Sequence, residues 1–106
     1  MIIGVGCDIV EISRISLEIG ERILTDLEKK LCEDFNENRK LEFIAGRFCA
    51  KEAIVKALNK KVLLSDIEVL YKDDKPYCKF EDYKISVSIS HEKNYAIAFA
   101  ICEKDI

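Results

Sequence analysis

The sequence predicts an α+β fold, with helices in the first half of the chain and a mainly antiparallel sheet in the second. Two observations support this prediction. Apolar residues recur at helical spacing over about residues 39–58, whereas residues 84–103 alternate between two rows of side chains, as strands do. The 106 residues contain no linker, repeat or low-complexity stretch, so we expect a single domain over residues 1–106.

The first predicted element is a strand over residues 1–8. Its odd positions are all apolar and are expected to face the core, while the even positions include Gly4, Gly6 and Asp8. Glycines in a strand often mark the close approach of a ligand or of another backbone. Asp8 and Glu11 also have the spacing of a capping box, so we expect a short helix directly after Asp8, and helix capping is an alternative role for its carboxylate.

Two further helices follow. One begins after Thr25, where TDLE forms another capping box, and runs to about Phe35. The other covers about residues 39–58 and places Glu52 on an otherwise apolar stripe, with Lys56 one turn beyond it. A surface ion pair between these two residues would explain both and would contribute roughly 0.2–0.5 kcal/mol. The stripe consists of Leu41, Ala45, Phe48, Glu52 and Val55.

The pattern of side chains in the second half of the chain predicts four strands. In the strand near residues 84–91, an apolar row ends at His91, the only histidine of the sequence. Considered by itself, this histidine could be either a core residue or a residue that contacts a ligand. In the strand near residues 95–103 both rows are apolar and one consists of alanines, so this strand should be central and covered on both faces. The other two strands lie near residues 66–71 and 77–80, joined by a DDKP turn around Pro76.

Composition excludes several classes of protein. A net charge of -3 and a pI near 5.2 argue against general binding to nucleic acid or to anionic membranes. We expect neither a membrane-spanning segment nor a signal peptide. The five cysteines are odd in number and never in CxxC spacing, so they predict neither a disulfide framework nor a zinc site. They are typical of small buried side chains in a reducing cytoplasm.

Three motifs occur in order along the chain: GVGCDIVEI at the start, FIAGRFCAKEAIVKAL in the middle and VSISHEKNYAIAFAI at the end. Together with ERILT at residues 21–25, they resemble the holo-acyl-carrier-protein synthase family, the small bacterial 4'-phosphopantetheinyl transferases. The resemblance spans nearly the whole chain. It implies the 4'-phosphopantetheinyl transferase fold, a small α+β protomer that forms a homotrimer with active sites between subunits.

The implied assembly leads to two expectations. Asp8 of one protomer should meet Glu52 and Lys56 of a neighbour, or the reverse. One face of the alanine-containing strand should pack on another subunit, so Ala98→Glu should abolish both the trimer and coenzyme binding, because a charge there would be buried without a partner.

The resemblance implies an enzyme that transfers the 4'-phosphopantetheine arm of coenzyme A to a serine of apo acyl carrier protein, in support of fatty acid biosynthesis, and releases adenosine 3',5'-bisphosphate. It implies that Asp8, Glu52 and Lys56 are catalytic, with the two carboxylates binding Mg²⁺ and Lys56 contacting the diphosphate. Mg²⁺ is a hard ion that prefers oxygen ligands. The base that accepts the serine proton remains open between Glu52, Asp8 and a metal-bound water.

The resemblance also implies binding residues. Ser90 and His91 match a segment that contacts coenzyme A, and Arg47 is a candidate for a coenzyme phosphate because guanidinium binds phosphate through two donors. Arg14 and Arg22 match basic positions at which the family docks its acidic carrier protein. Solvated surface charge is the alternative explanation for these two arginines.

The chain departs from the family in two places. Ile19 lies where relatives carry a bulky aromatic residue, and NKKVLLSD replaces a glycine-containing loop after Leu58. Asn59 tolerates the left-handed conformation that glycine would supply, and Lys60 and Lys61 could replace some phosphate contacts.

Two other functions remain open. A Mg²⁺-dependent hydrolase of coenzyme A or of a nucleotide diphosphate would need no patch formed by Arg14 and Arg22. A non-catalytic module that binds coenzyme A or the carrier protein would be expected to lack Asp8 or Glu52, and both residues are present.

Overall fold

The computed structural model describes residues 1–105 and confirms the α+β prediction. Its strands are β1 (Ile2–Glu11), β2 (Leu70–Lys72), β3 (Lys75–Phe80), β4 (Tyr83–His91) and β5 (Tyr95–Glu103), and its helices are α1 (Leu17–Ile23), α2 (Asp26–Cys32) and α3 (Glu37–Leu58). The strands form one antiparallel sheet in the order β1-β5-β4-β3-β2. The strand β5 is therefore central, as predicted. None of the helices within residues 1–105 is long and apolar enough to cross a bilayer.

The helix α3 packs against β1, β5 and β4, and the glycines of β1 allow a very close approach. A Cβ atom at Gly4 would lie 2.0 Å from the carbonyl oxygen of Ala57, and one at Gly6 would lie 2.1 Å from that of Ala53. The glycines therefore mark the approach of another backbone, which is one of the two explanations offered by the sequence. The alanines of β5 face the same helix and are buried: Ala96, Ala98 and Ala100.

The prediction that the odd positions of β1 face the core was wrong. These side chains are exposed, with 68% of Val5 and 60% of Ile9 accessible to solvent. The outer row of β5 beside them is also open, and Phe99 is 54% exposed. The physical reason is that the small residues of both strands admit the helix backbone, which leaves the larger apolar residues on the opposite face. Within the protomer, β5 is thus covered on one face only.

The prediction of a short helix directly after Asp8 was also wrong. The pairing of β1 with β5 continues to Glu11, and a 3₁₀ turn over Ile12–Arg14 precedes α1. The cap of α1 is Ser16, whose hydroxyl accepts a hydrogen bond from the amide of Ile19. Asp8 lies inside the ladder and is not a helix cap.

The capping box at Thr25 is present and opens α2, which ends at Cys32. Its Glu28 also forms a buried ion pair with Lys51 of α3, with Lys51 Nζ 2.6 Å from Glu28 Oε1. The ammonium of Lys51 donates further hydrogen bonds to the carbonyls of Ile23 and Leu64. The most deeply buried charge of α3 is thus Lys51, whereas Glu52 is only partly buried.

Two turns agree with the expected backbone chemistry. Asn59 ends α3 in the left-handed conformation, with φ 55°. Asp73 and Asp74 also have positive φ and form the two-residue turn between β2 and β3. The predicted position of this turn around Pro76 was wrong, because Pro76 lies within β3, opposite Tyr71 on the edge strand β2. The strand β2 begins at Leu70, later than predicted, and a 3₁₀ turn over Leu64–Asp66 precedes it.

Candidate functional site

Asp8 of β1 and Lys56 of α3 contact each other in one protomer. Lys56 Nζ lies 3.3 Å from Asp8 Oδ1 and donates a hydrogen bond of 2.9 Å to the carbonyl of Cys7. The close packing at Gly6 brings the last turn of α3 within reach of the strand. Lys56 therefore pairs with Asp8. The helical spacing had suggested a pair with Glu52 instead. The expectation that Asp8 and Lys56 come from different protomers is wrong as well.

The Cys49 thiol links Asp8 to Glu52. This thiol belongs to α3, is buried between the helix and the sheet, and donates to the carbonyl of Ala96 in β5. Burial, together with the negative charges of Asp8 and Glu52, raises the pKa of the Cys49 thiol to about 12. Both carboxylates thus lie close to one buried thiol. Asp8, Glu52 and Lys56, which we call the carboxylate cluster, form one site.

The carboxylate cluster fits a magnesium ion. Asp8 is only 19% exposed at its side chain, so its charge is poorly hydrated, and the Lys56 ammonium occupies only one of its two oxygens. Residues 1–105 contain no group of three or more His, Cys, Asp and Glu side chains arranged to hold a metal. Two carboxylates would leave most of a coordination sphere to water and to substrate phosphates, and this is the ligand set that Mg²⁺ accepts.

Arg47 and His91 line a separate cleft of about 650 Å³. Arg47 is 3% exposed, and its Nε donates to the carbonyl of Val69. Its Nη1 donates to the hydroxyl of Tyr71, at 3.3 Å, and its guanidinium lies over the rings of both Phe43 and Tyr71. The buried Nη2 has no hydrogen-bond partner within residues 1–105. We call this region the arginine cleft.

The arginine cleft and the carboxylate cluster lie on opposite sides of α3. Arg47 and Lys56 are nine positions apart, which is a rotation of about 180° and an axial rise of about 13 Å on a helix. The sheet agrees with this, because Asp8 lies on β1 at one edge while Tyr71 lies on β2 at the other. The sequence motifs gave no indication of this separation.

Ser90 and His91 point to opposite faces of the sheet. His91 Nδ1 lies 3.7 Å from Glu42 Oε2 beside the arginine cleft. Ser90 is exposed opposite Ile97, on the face away from α3. Only His91 of this pair therefore lines the cleft.

Arg14 and Arg22 are both exposed and lie on neighbouring elements, Arg14 in the 3₁₀ turn and Arg22 in the last turn of α1. The helix α1 itself also carries Glu18 and Glu21, so it is not a uniformly basic surface. Lys29, which lies nearby, forms an ion pair with Glu21.

The glycine-free loop after α3 is directed toward the β3–β4 hairpin. Lys60 lies 3.0 Å from Glu81 and 5.0 Å from the ring centroid of Tyr83. The charge of Lys60 is thus already paired with Glu81. This contact does not support the suggestion that Lys60 replaces a phosphate contact.

Comparison with known proteins agrees with the sequence motifs. A family model described as the 4'-phosphopantetheinyl transferase superfamily matches residues 4–100. The chain is 44% identical over 115 residues to the holo-(acyl-carrier-protein) synthase of Staphylococcus saprophyticus, and the match covers 97% of this chain and 99% of that protein.

Two solved structures have the same fold. The holo-(acyl-carrier-protein) synthase of Bacillus anthracis, in complex with CoA (3',5'-ADP), superimposes with a TM-score of 0.89 at 38% identity and covers 99% of both chains. The enzyme of Helicobacter pylori, in complex with coenzyme A, gives a TM-score of 0.79 at 30% identity, with 93% of this chain and 99% of that chain covered.

Proposed function

Because the chain belongs to the 4'-phosphopantetheinyl transferase superfamily, we propose that it transfers the 4'-phosphopantetheine arm of coenzyme A to a serine of apo acyl carrier protein. The second product is adenosine 3',5'-bisphosphate, and the reaction supports fatty acid biosynthesis. The observation that carries this proposal is the carboxylate cluster, in which Asp8 of β1 meets Lys56 of α3 next to Glu52.

The reaction is a displacement at phosphorus, in which positioning and charge stabilisation do most of the work. The serine oxygen forms a bond to the phosphorus that carries the pantetheine arm, and the bond from that phosphorus to the departing adenosine 3',5'-bisphosphate breaks. Lys56, whose side chain is half exposed, stabilises the negative charge that develops on the leaving group. The carboxylates of Asp8 and Glu52 are the groups of this site that can accept the serine proton.

Asp8 and Glu52 would also hold Mg²⁺. When bound, the ion neutralises charge on the diphosphate. The fit rests on the paired hard oxygen ligands and on the poor hydration of Asp8.

The arginine cleft binds the other anionic end of the coenzyme. Since Arg47 lies across α3 from Lys56, it meets the 3'-phosphate and not the diphosphate, and the unpaired Nη2 is the donor available to it. His91 lies at the same cleft and is available to the same end of the coenzyme.

One coenzyme molecule cannot easily reach both sides of α3 in one protomer. We assign it to an interface, where it uses the carboxylate cluster of one protomer and the arginine cleft of the next. The exposed apolar face of β1 and β5, with Val5, Ile9 and Phe99, is the surface that a homotrimer would bury. Free cysteines, four of them buried, fit the reducing cytoplasm to which we assign the protein.

The carrier protein docks near Arg14 and Arg22. This assignment is supported by the exposure of both arginines on adjoining elements. Mixed charge on α1 predicts that docking also uses apolar contact, for which the exposed Leu17 and Leu27 are available.

The direct test is the intact mass of an apo acyl carrier protein after incubation with this protein, coenzyme A and Mg²⁺. A mass increase equal to the 4'-phosphopantetheine arm is expected. Hydrolysis of coenzyme A with no change in carrier mass would instead indicate a hydrolase. Binding of both substrates without either reaction would indicate a non-catalytic module.

A further inference from the structure

We infer that Tyr71 is a positioning residue for Arg47, and that it thereby sets how strongly the site prefers coenzyme A to an analogue without the 3'-phosphate. This inference rests on the proposed function, because it takes the 3'-phosphate as the group that Arg47 meets. Nothing in the family motifs includes Tyr71, which lies 24 positions after Arg47 in the chain.

Four contacts hold the guanidinium of Arg47: two aromatic rings and two hydrogen bonds. The ring centroids of Phe43 and Tyr71 lie 4.4 Å and 4.8 Å from its central carbon, both within the range of cation–π attraction. Its Nε donates to the carbonyl of Val69 at 3.2 Å, and its Nη1 donates to the Tyr71 hydroxyl at 3.3 Å. Within the part of the chain that the structure describes, Nη2 has no hydrogen-bond partner, although it is buried.

Tyr71 makes two of these four contacts. Without its hydroxyl, Nη1 would also lack an acceptor and the guanidinium could rotate to bring either nitrogen to the 3'-phosphate. Without its ring, the part of the Arg47 guanidinium that contacts Tyr71 would open to water, and hydration would weaken the attraction to an anion. The Tyr71 hydroxyl accepts from Arg47 and still has its own proton to donate, so it can also stay hydrogen-bonded when the ligand is present.

The position of Tyr71 explains how it can vary without harm to the fold. It lies on β2, which has three residues and forms one edge of the sheet, and it is half exposed. A substitution there should change the cleft while the core under α3 stays intact.

The test is calorimetric titration with coenzyme A and with 3'-dephospho-coenzyme A. The proteins are the wild type, Tyr71→Phe, Tyr71→Leu, Arg47→Met and the double variant Arg47→Met/Tyr71→Leu. The matched control is Tyr77→Phe, because Tyr77 pairs with Leu70 on the same hairpin and makes no hydrogen bond or cation–π contact with Arg47 within residues 1–105. Thermal unfolding of each variant checks that the fold is retained.

The ratio of the two dissociation constants is the informative quantity. We expect Arg47→Met to remove most of the preference for coenzyme A, and Tyr71→Phe to reduce it by up to about tenfold, as the loss of one hydrogen bond to a charged group allows. Tyr71→Leu should reduce it further, and neither Tyr71 variant should change the affinity for the dephospho analogue. The double variant should show the same ratio of dissociation constants as Arg47→Met, because Tyr71 acts through Arg47.

Three results would overturn the inference. If the Tyr71 variants weaken the binding of both ligands equally, Tyr71 contributes to the shape of the cleft and not to selectivity. If the ratio of the two dissociation constants does not change, Tyr71 has no part in selectivity. A preference that survives Arg47→Met would refute the assignment of the 3'-phosphate to Arg47, and with it the role of Tyr71. Failure of the wild type to bind coenzyme A would instead contradict the proposed function itself.

Discussion

At the scale of single residues, the least expected feature is the buried pair Lys51 and Glu28. The sequence drew attention to Glu52, because that residue interrupts an apolar stripe, and gave no reason to single out its neighbour. The partner of Lys51 lies 23 positions away on a different helix. Spacing within one helix predicts neighbours three or four positions apart, and a partner on another element becomes visible only in the folded chain.

This pair leads to a prediction about stability. Lys51→Met should lower the free energy of unfolding by about 3–5 kcal/mol, because it leaves Glu28 buried without a counter-charge. Adding Glu28→Gln should restore part of the loss, since it removes that charge and keeps the acceptor for the Val69 amide. The control is Lys29→Met, whose exposed partner Glu21 predicts a change below about 1 kcal/mol. Urea unfolding at equal protomer concentration measures the difference. A Lys51→Met protein as stable as Lys29→Met would refute the prediction.

The carboxylate cluster predicts a graded loss of activity. Asp8→Asn and Glu52→Gln should each reduce transfer by at least about a hundredfold, with weaker Mg²⁺ binding by calorimetry and an unchanged circular dichroism spectrum. Lys56→Met should cost more turnover than Lys60→Met, since Lys60 is already paired with Glu81. Near-normal transfer by Glu52→Gln at ordinary Mg²⁺ would eliminate Glu52 as a metal ligand.

At the scale of elements, the sequence predicted which segments form helices and strands better than which way they face. Apolar rows at alternate positions predict a strand, but in β1 the row of large apolar residues was assigned to the core, because the other row contains two glycines and Asp8. The core is formed instead by the glycine row, because a helix backbone can lie against glycine and cannot lie against valine. The motifs brought Asp8, Glu52 and Lys56 to attention, but the division between the carboxylate cluster and the arginine cleft depends on the path of α3 over the sheet.

The contact between β1 and α3 predicts the effect of a single methyl group. Gly6→Ala should destabilise the protein by about 3 kcal/mol or more, because the new Cβ would lie 2.1 Å from a backbone oxygen that can move only with the helix. Gly46→Ala is the matched control. Its Cβ would lie 3.1 Å from a side-chain atom of Ile89, which can adjust, and alanine favours the helix by about 1 kcal/mol. Thermal unfolding should show a large loss for Gly6→Ala and little change for Gly46→Ala; equal losses would contradict the close-approach explanation.

At the scale of the whole molecule, the exposed apolar face replaces the alanine row as the expected subunit contact. Ala98 faces α3 of its own protomer, so Ala98→Glu should disrupt the fold and is no test of assembly. Phe99→Glu, on the opposite face, is the appropriate change. It should give a folded monomer by light scattering, because the charge is accommodated in water once the subunits separate.

Cys7 provides an independent measure of the same interface. Among residues 1–105 it is the only exposed cysteine, and it pairs with Phe99 on the face of the sheet away from α3. In an assembled wild type, Cys7 should resist brief alkylation, whereas in Phe99→Glu it should react while the four buried thiols stay protected. Peptide mass spectrometry separates the sites. Rapid alkylation of Cys7 in the wild type would show that this face is open in solution.

The arrangement of the active site can be tested by mixing two variants, each impaired in a different half of the site, and measuring transfer at a low concentration of coenzyme A. If each site uses the carboxylate cluster of one protomer and the arginine cleft of the next, Lys56→Met and Arg47→Met damage different halves of it. Refolding the two variants together should then restore activity in roughly a quarter of the sites, since each half is intact with a chance of one in two.

The matched control for this experiment is a mixture of Lys56→Met with Asp8→Asn. These residues contact each other within one protomer, so they belong to the same half of every site and their mixture should stay inactive. Activity in the control mixture would show that Asp8 and Lys56 act from different subunits in the assembly. An inactive first mixture that nevertheless contains mixed trimers by native mass spectrometry would place the whole coenzyme on one protomer, and Arg47 would then have to reach it around α3.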